Sequence, residues 1–137
     1  GVCVISSKKK KSYLADKKFF LKYGFEVVDQ IEDYELLSLS FNHQKPSFCK
    51  SVKQMMIDSN HITIYYSPQC PFTLNCIHEI KEYIKDCNIQ VDFIKIDTLE
   101  KAKNIPCIFN NWAVFKNGKY VSHILLNKKG FEKLLND

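Results

Sequence analysis

The chain contains no arginine: all 20 of its basic residues are lysine. A formal net charge of +5 makes the surface attractive to anions. The forked guanidinium that base readers and phosphate clamps rely on is nevertheless missing. That absence argues for no nucleic acid partner, and the abundance of Lys, Ile and Asn reads instead as the codon bias of an AT-rich genome. Long apolar runs are missing too. No window approaches the roughly 18 uninterrupted apolar residues of a membrane span. The opening GVCVISSKKKK places its charges after an apolar stretch too short for a secretory signal. The expectation is therefore no membrane, and a cytoplasmic protein. Internal repeats are absent as well, which excludes a solenoid or propeller array.

The six cysteines, Cys3, Cys49, Cys70, Cys76, Cys87 and Cys107, are scattered over 137 residues. This is not the short, cysteine-dense pattern that needs disulfide staples. Reduced thiols are the default, several of them as core residues.

Two parts and a connecting segment emerge from the pattern. In residues 1–42, Val2–Ile5 is a short strand, Asp16–Tyr23 a helix with Phe19, Phe20 and Tyr23 on one face, and Gly24 a left-handed terminator followed by apolar Phe25. Phe25–Val28 and Tyr34–Phe41 read as two more strands joined by a QIED turn. Three strands and one helix bury little surface. With a strand at the first residues and no initiator methionine, the expectation is a piece of a larger domain. Residues 43–60 are the linker, with a short helix within Phe48–Ile57, and too apolar to be a loose tether. Residues 61–137 run strand (HITIYY), helix (Pro71–Cys87), strand (VDFIKI), short helix or turn (TLEKAK), two strands (CIFNNWAVF and YVSHILL) around an Asn117-Gly118 hairpin turn, and helix (Asn127–Leu135). The first crossover should be right-handed, its strands parallel, and the hairpin antiparallel. That order is the thioredoxin-fold arrangement.

Cys70 is the chemical candidate in this second part. It lies between a strand end and a helix start, with Pro71 at the first helical position, where a missing N–H costs nothing. A thiolate there faces free N–H groups and the positive end of the helix dipole, which favour the charged form. The dithiol pattern is not completed, since Thr73 stands where a second cysteine would be. Cys76 lies about 9 Å along the helix, too far for a disulfide without unwinding the first turns. Pro106 is placed for a cis-proline loop facing the thiol, and Cys107 follows it. Two readings stay open: a monothiol, glutaredoxin-like protein using Cys70, or a small residue at a turn in a binding module. The group Cys70, Cys76 and His78 has no usual zinc spacing, so no metal is expected.

GVCVISSKKKKSYLADKKFFLKYGFEVVDQ, with its FFLKYGF at residues 19–25, resembles the late part of the GNAT family of N-acetyltransferases. Together with SPQCPF, the whole chain is similar to the carboxy-terminal region of the YoaP-like acetyltransferases, in which a small thioredoxin-like domain follows the acyltransferase domain. The implied fold is mixed α/β (α+β): the C-terminal half of a GNAT fold, then a thioredoxin-like domain with a mixed four-stranded sheet and flanking helices. The implied cofactor is acetyl-CoA and the implied acceptor a small-molecule or peptide amine. The resemblance places Ser6, Ser7 and Phe20 on the acetyl-CoA side. Phe20 stands where many members carry a general-acid tyrosine, leaving Tyr13 and Tyr23 as hydroxyls nearby in sequence. The Gly-rich pyrophosphate loop has no counterpart in the chain, so the missing N-terminal GNAT half is the implied partner and the fragment alone should be inactive. The Lys8–Lys11 run reads as a solvated loop in preference to a grip on the 3′-phosphate of coenzyme A.

Overall fold

A computed structural model describes residues 1–136. The chain divides into two compact units, Gly1–Lys53 and Gln54–Asp137, each a mixed assembly of helix and sheet.

In the first unit, β1 (Val2–Ser7), β2 (Glu26–Ile31) and β3 (Tyr34–Leu39) form an antiparallel sheet in the order β1-β3-β2. The central strand β3 buries Glu35, Leu36, Leu37 and Ser38 in succession, as expected of a strand paired on both edges. The strand β2 runs further than the sequence reading allowed. A bulge between Val27 and Asp29 re-phases it, so Ile31 turns inward to 7% exposure and only Glu32 and Asp33 remain as the turn. Helix α1 (Lys17–Lys22) starts on Asp16, whose side chain accepts from the Lys18 N–H at 2.9 Å. It ends as expected: Gly24 takes φ +85°, its N–H reaches the Leu21 carbonyl at 3.2 Å, and the Phe25 N–H reaches the Phe20 carbonyl at 3.2 Å. This is a Schellman closure, with the Phe20 and Phe25 rings in contact at 5.4 Å. The aromatic face of α1 stacks on itself, Phe19 against Tyr23 at 5.0 Å, but α1 buries no residue.

The segment 43–60 is shared out rather than free. Asp29 accepts from the Phe48 N–H at 2.8 Å and from Lys53 Nζ at 3.0 Å, which ties the short helix α2 (Lys50–Gln54) to the first unit. In the second unit, the Ile57 N–H donates to the Gly118 carbonyl at 2.9 Å and the Tyr120 N–H to the Met55 carbonyl at 3.2 Å.

The second unit has a four-stranded sheet, β4 (Ile62–Tyr66), β5 (Val91–Lys95), β6 (Trp112–Lys116) and β7 (Lys119–Ser122), in the order β5-β4-β6-β7. β4 and β5 are parallel, the other pairs antiparallel. Alternation along the strands feeds two cores. Ile62, Ile64, Tyr66, Trp112 and Val114 meet Ile77 and Ile80 of α3 (Pro71–Lys85) and Phe131 and Leu134 of α5 (Lys128–Asn136). On the opposite face Ala113 and Phe115 meet Ile96, Ile105 and Cys107, beside α4 (Leu99–Asn104). Helices therefore flank both faces. Residues 107–111 are not the start of β6, contrary to the sequence reading. They form a loop whose Asn111 carbonyl accepts from the Ser67 N–H at 2.9 Å. No helix among the described residues is long and apolar enough to cross a membrane.

Candidate functional site

The first unit gathers Ser6 and Ser7 at one cavity. β1 ends on Ser6 and Ser7, both buried, opposite Glu35 and Tyr34 of β3. The chain leaving β1 is then pinned back by four hydrogen bonds. Ser7 Oγ donates to the Lys9 carbonyl at 2.6 Å, Ser6 Oγ to the Ala15 carbonyl at 3.3 Å, the Lys8 N–H to the Asp33 carbonyl at 2.8 Å and the Leu14 N–H to the Lys11 carbonyl at 3.2 Å. The result is a cavity of about 290 Å³ lined by the two serines, by Leu14, Ala15 and Asp16, and by Lys8, Lys10, Lys11, Lys17 and Lys18. Lys17 is held by the buried Glu35 carboxylate at 2.8 Å. Lys11 lies over the Tyr34 ring, 5.1 Å from its centre, and 3.8 Å from Asp33. The Tyr34 and Tyr13 hydroxyls share a hydrogen bond of 2.9 Å. Burial, reinforced by that bond, pushes the Tyr34 hydroxyl well above the usual tyrosine range, so it stays protonated.

Ser6 and Ser7 are thus brought together with the lysine loop. Phe20 is not: it does not line the cavity, and its ring is engaged by Phe19 and Phe25. Tyr23 stacks on Phe19 and is 60% exposed. The reach of the lysine loop was missed in the sequence because four separate hydrogen bonds set it. The only written signal was a pair of serines at a strand end.

In the second unit Cys70 is the N-cap residue of α3, extended at φ −88° and ψ 124°, with Pro71 next and no capping bond from its thiol. It is half-buried, and like the other five cysteines it is in no disulfide. Phe72 and Leu74 beside it are 67% and 52% exposed. Thr73, where a second cysteine would sit, is fully buried and its hydroxyl has no hydrogen-bond partner among the described residues. The Cys76 thiol is pushed up by burial, with smaller contributions from Glu79 and Cys70.

The proline loop differs from the form considered from sequence. The Ile105–Pro106 bond is trans. Ile105 ends α4 in the extended conformation that a following proline favours, at φ −61° and ψ 131°. Cys107 is 2% exposed and its thiol donates to the Phe109 carbonyl at 2.8 Å. Burial pushes that thiol up to about 11. Cys107 is accordingly a core residue, committed to its own loop. Among the described residues no group of three or more His, Cys, Asp or Glu side chains is arranged to hold a metal ion.

Two likenesses to known proteins bear on the chain. Residues 90–133, from the start of β5 into α5, match the family described as YoaP-like. Over 99% of its length the chain is also 37% identical, across 139 aligned residues, to a protein of Bacillus subtilis (strain 168) called "Uncharacterized N-acetyltransferase YoaP". The chain spans about half, 55%, of that relative's length. No solved structure matches the chain.

Proposed function

We propose that the chain is the carboxy-terminal part of a GNAT-type N-acetyltransferase. Gly1–Lys53 would be the late half of the acyltransferase domain and Gln54–Asp137 a thioredoxin-like module that binds a partner or gates the acyltransferase site. The observation that carries this reading is similarity along nearly the whole chain to a protein named as an N-acetyltransferase. Three features of the first unit support it. Its antiparallel β1-β3-β2 order leaves β1 as an edge. Helix α1 ends in the Lys22-Tyr23-Gly24-Phe25 closure. Ser6 and Ser7 open onto a cavity at the end of β1. The β5-β4-β6-β7 sheet, with a parallel first pair and helices on both faces, supports the thioredoxin-like reading of the second unit.

The acceptor class is an amine, small or peptidic, and the donor acetyl-CoA. The reaction is direct attack of the neutral amine on the thioester: the new C–N bond forms as the C–S bond breaks, and coenzyme A leaves with the proton the amine loses. The acyltransferase domain would contribute by holding the two reactants in line. The pyrophosphate cradle of such an enzyme is a Gly-rich turn before a helix, and this chain contributes none. The test compares the chain with a longer protein that carries such a turn upstream, following free coenzyme A by chromatography with a panel of amines. Release by the longer protein and none by the chain alone is expected. Release by the chain alone, or by neither with any amine, overturns the proposal.

A further inference from the structure

The cavity at the end of β1 has a charge that a neutral thioester or its amide-linked arm would not use. Five lysines line it, Lys8, Lys10, Lys11, Lys17 and Lys18. Among the described residues two of them have an ion pair, Lys17 with Glu35 and Lys11 with Asp33. The one lining carboxylate, Asp16, accepts from the Lys18 N–H as the cap of α1. Lys8, Lys10 and Lys18 carry no ion pair among the described residues. Crowding like charges around a recess raises its potential and concentrates anions there.

The arrangement is also built rather than incidental. Both seryl hydroxyls spend their hydrogens on loop carbonyls, Ala15 and Lys9, and so fix the loop that carries the lysines. A loop already held in place loses less entropy when its ligand arrives. Lysine ammonium groups grip phosphate as point charges, without needing the forked geometry of arginine.

We propose that this cavity binds a phosphate-bearing small molecule, held by Lys8, Lys10 and Lys18, with Ser6 and Ser7 shaping the loop that presents them. The run Lys8–Lys11, read from sequence as solvated, becomes part of a binding wall. The inference concerns the same cavity as the acyl-CoA reading, and names which part of such a cofactor the cavity suits. It does not depend on that reading.

The probes are adenosine 3′,5′-bisphosphate, which carries phosphates of the coenzyme A type, and inorganic pyrophosphate, which carries only the charge. Each is titrated into the 137-residue chain at low salt, following backbone amide shifts and calorimetry. Binding is expected with shifts confined to residues 6–18, and it should weaken as salt rises. Lys8→Gln/Lys10→Gln/Lys18→Gln should lower affinity by about tenfold or more. The charge-matched control Lys103→Gln/Lys129→Gln/Lys133→Gln should leave it unchanged. Absence of binding by both probes, equal losses in the two triple variants, or shifts centred elsewhere would overturn the proposal. A preference for the bisphosphate points to a nucleotide cofactor, and equal binding to a simple anion site. If the probes bind here but the longer protein releases no coenzyme A, the acyltransferase reading falls and the cavity assignment stands. The reverse pattern removes the cavity assignment alone.

Discussion

The two units differ in how completely they bury what they carry. In Gln54–Asp137 the sheet is covered on both faces, and Trp112, Phe115 and Phe131 are each 1% exposed or less. In Gly1–Lys53 no aromatic ring is buried, α1 buries nothing, and Phe19, Tyr23 and Phe41 are 58%, 60% and 73% exposed. Burial of a large apolar side chain contributes about 1.5–3 kcal/mol. The second unit therefore has the means to hold itself together, while the first has a core scarcely larger than Leu36, Leu37 and Ile31. A unit that leaves its aromatic helix face bare is the less self-sufficient of the two.

Separating the units is the harshest test of that contrast. Residues 54–137 alone should unfold in one cooperative thermal transition, and residues 1–53 alone should show none. A cooperative transition in the 1–53 peptide would remove the distinction.

The two left-handed glycines give the next largest effect. Gly24 has φ +85° and Gly118 φ +77°, and alanine in that region costs about 1–2 kcal/mol. A Cβ on Gly118 would also sit 2.6 Å from the Ile57 carbonyl oxygen, whereas on Gly24 it would meet only the end of Leu39 at 3.6 Å. Chemical denaturation of the full chain should therefore show Gly118→Ala costing clearly more than Gly24→Ala. Equal costs would mean that backbone strain alone matters at both.

Alkaline pH should weaken the second unit through Cys107. The Cys107 thiol is raised from 9.0 to about 11 in the folded chain. A raised thiol value means that the folded state holds the proton more tightly. Its contribution is thus complete below pH 9 and is lost as pH climbs toward 11, by up to about 3 kcal/mol. Denaturant midpoints for the wild type and Cys107→Ala, measured from pH 7 to pH 11, should converge as pH rises. Parallel curves would show that the thiol does not ionise on unfolding.

The smallest effect concerns Thr73. Its buried hydroxyl has no partner among the described residues, so Thr73→Val should stabilise the second unit by about 1 kcal/mol. Destabilisation would reveal a partner for that hydroxyl.

What could be read in the sequence was local. Asp16 acts through its side chain on the next turn, Gly24, Pro71 and the Asn117-Gly118 pair through their own backbone conformation, and each marks an element end in the structure. The 3.6-residue spacing of Ile77, Ile80 and Ile84 likewise announced the buried face of α3. What escaped depends on distant partners. Ile31 joins β2 because of the bulge at Val28, and residues 107–111 leave β6 because Asn111 accepts from Ser67. The lysine cavity depends on Asp33 and Glu35 of another hairpin. Phe20 was legible as a helix-face aromatic, but its use as the ring that seals the helix end required Phe25 to be placed beside it.

The central proposal is that the first unit would form part of an acyl-CoA site, with its lysine-lined cavity taking the phosphates. Calorimetric titration of the 137-residue chain with acetyl-CoA addresses it most directly. The account predicts a dissociation constant of ~1 mM or weaker, no tighter than that of adenosine 3′,5′-bisphosphate. Micromolar binding of acetyl-CoA by this chain alone would contradict it.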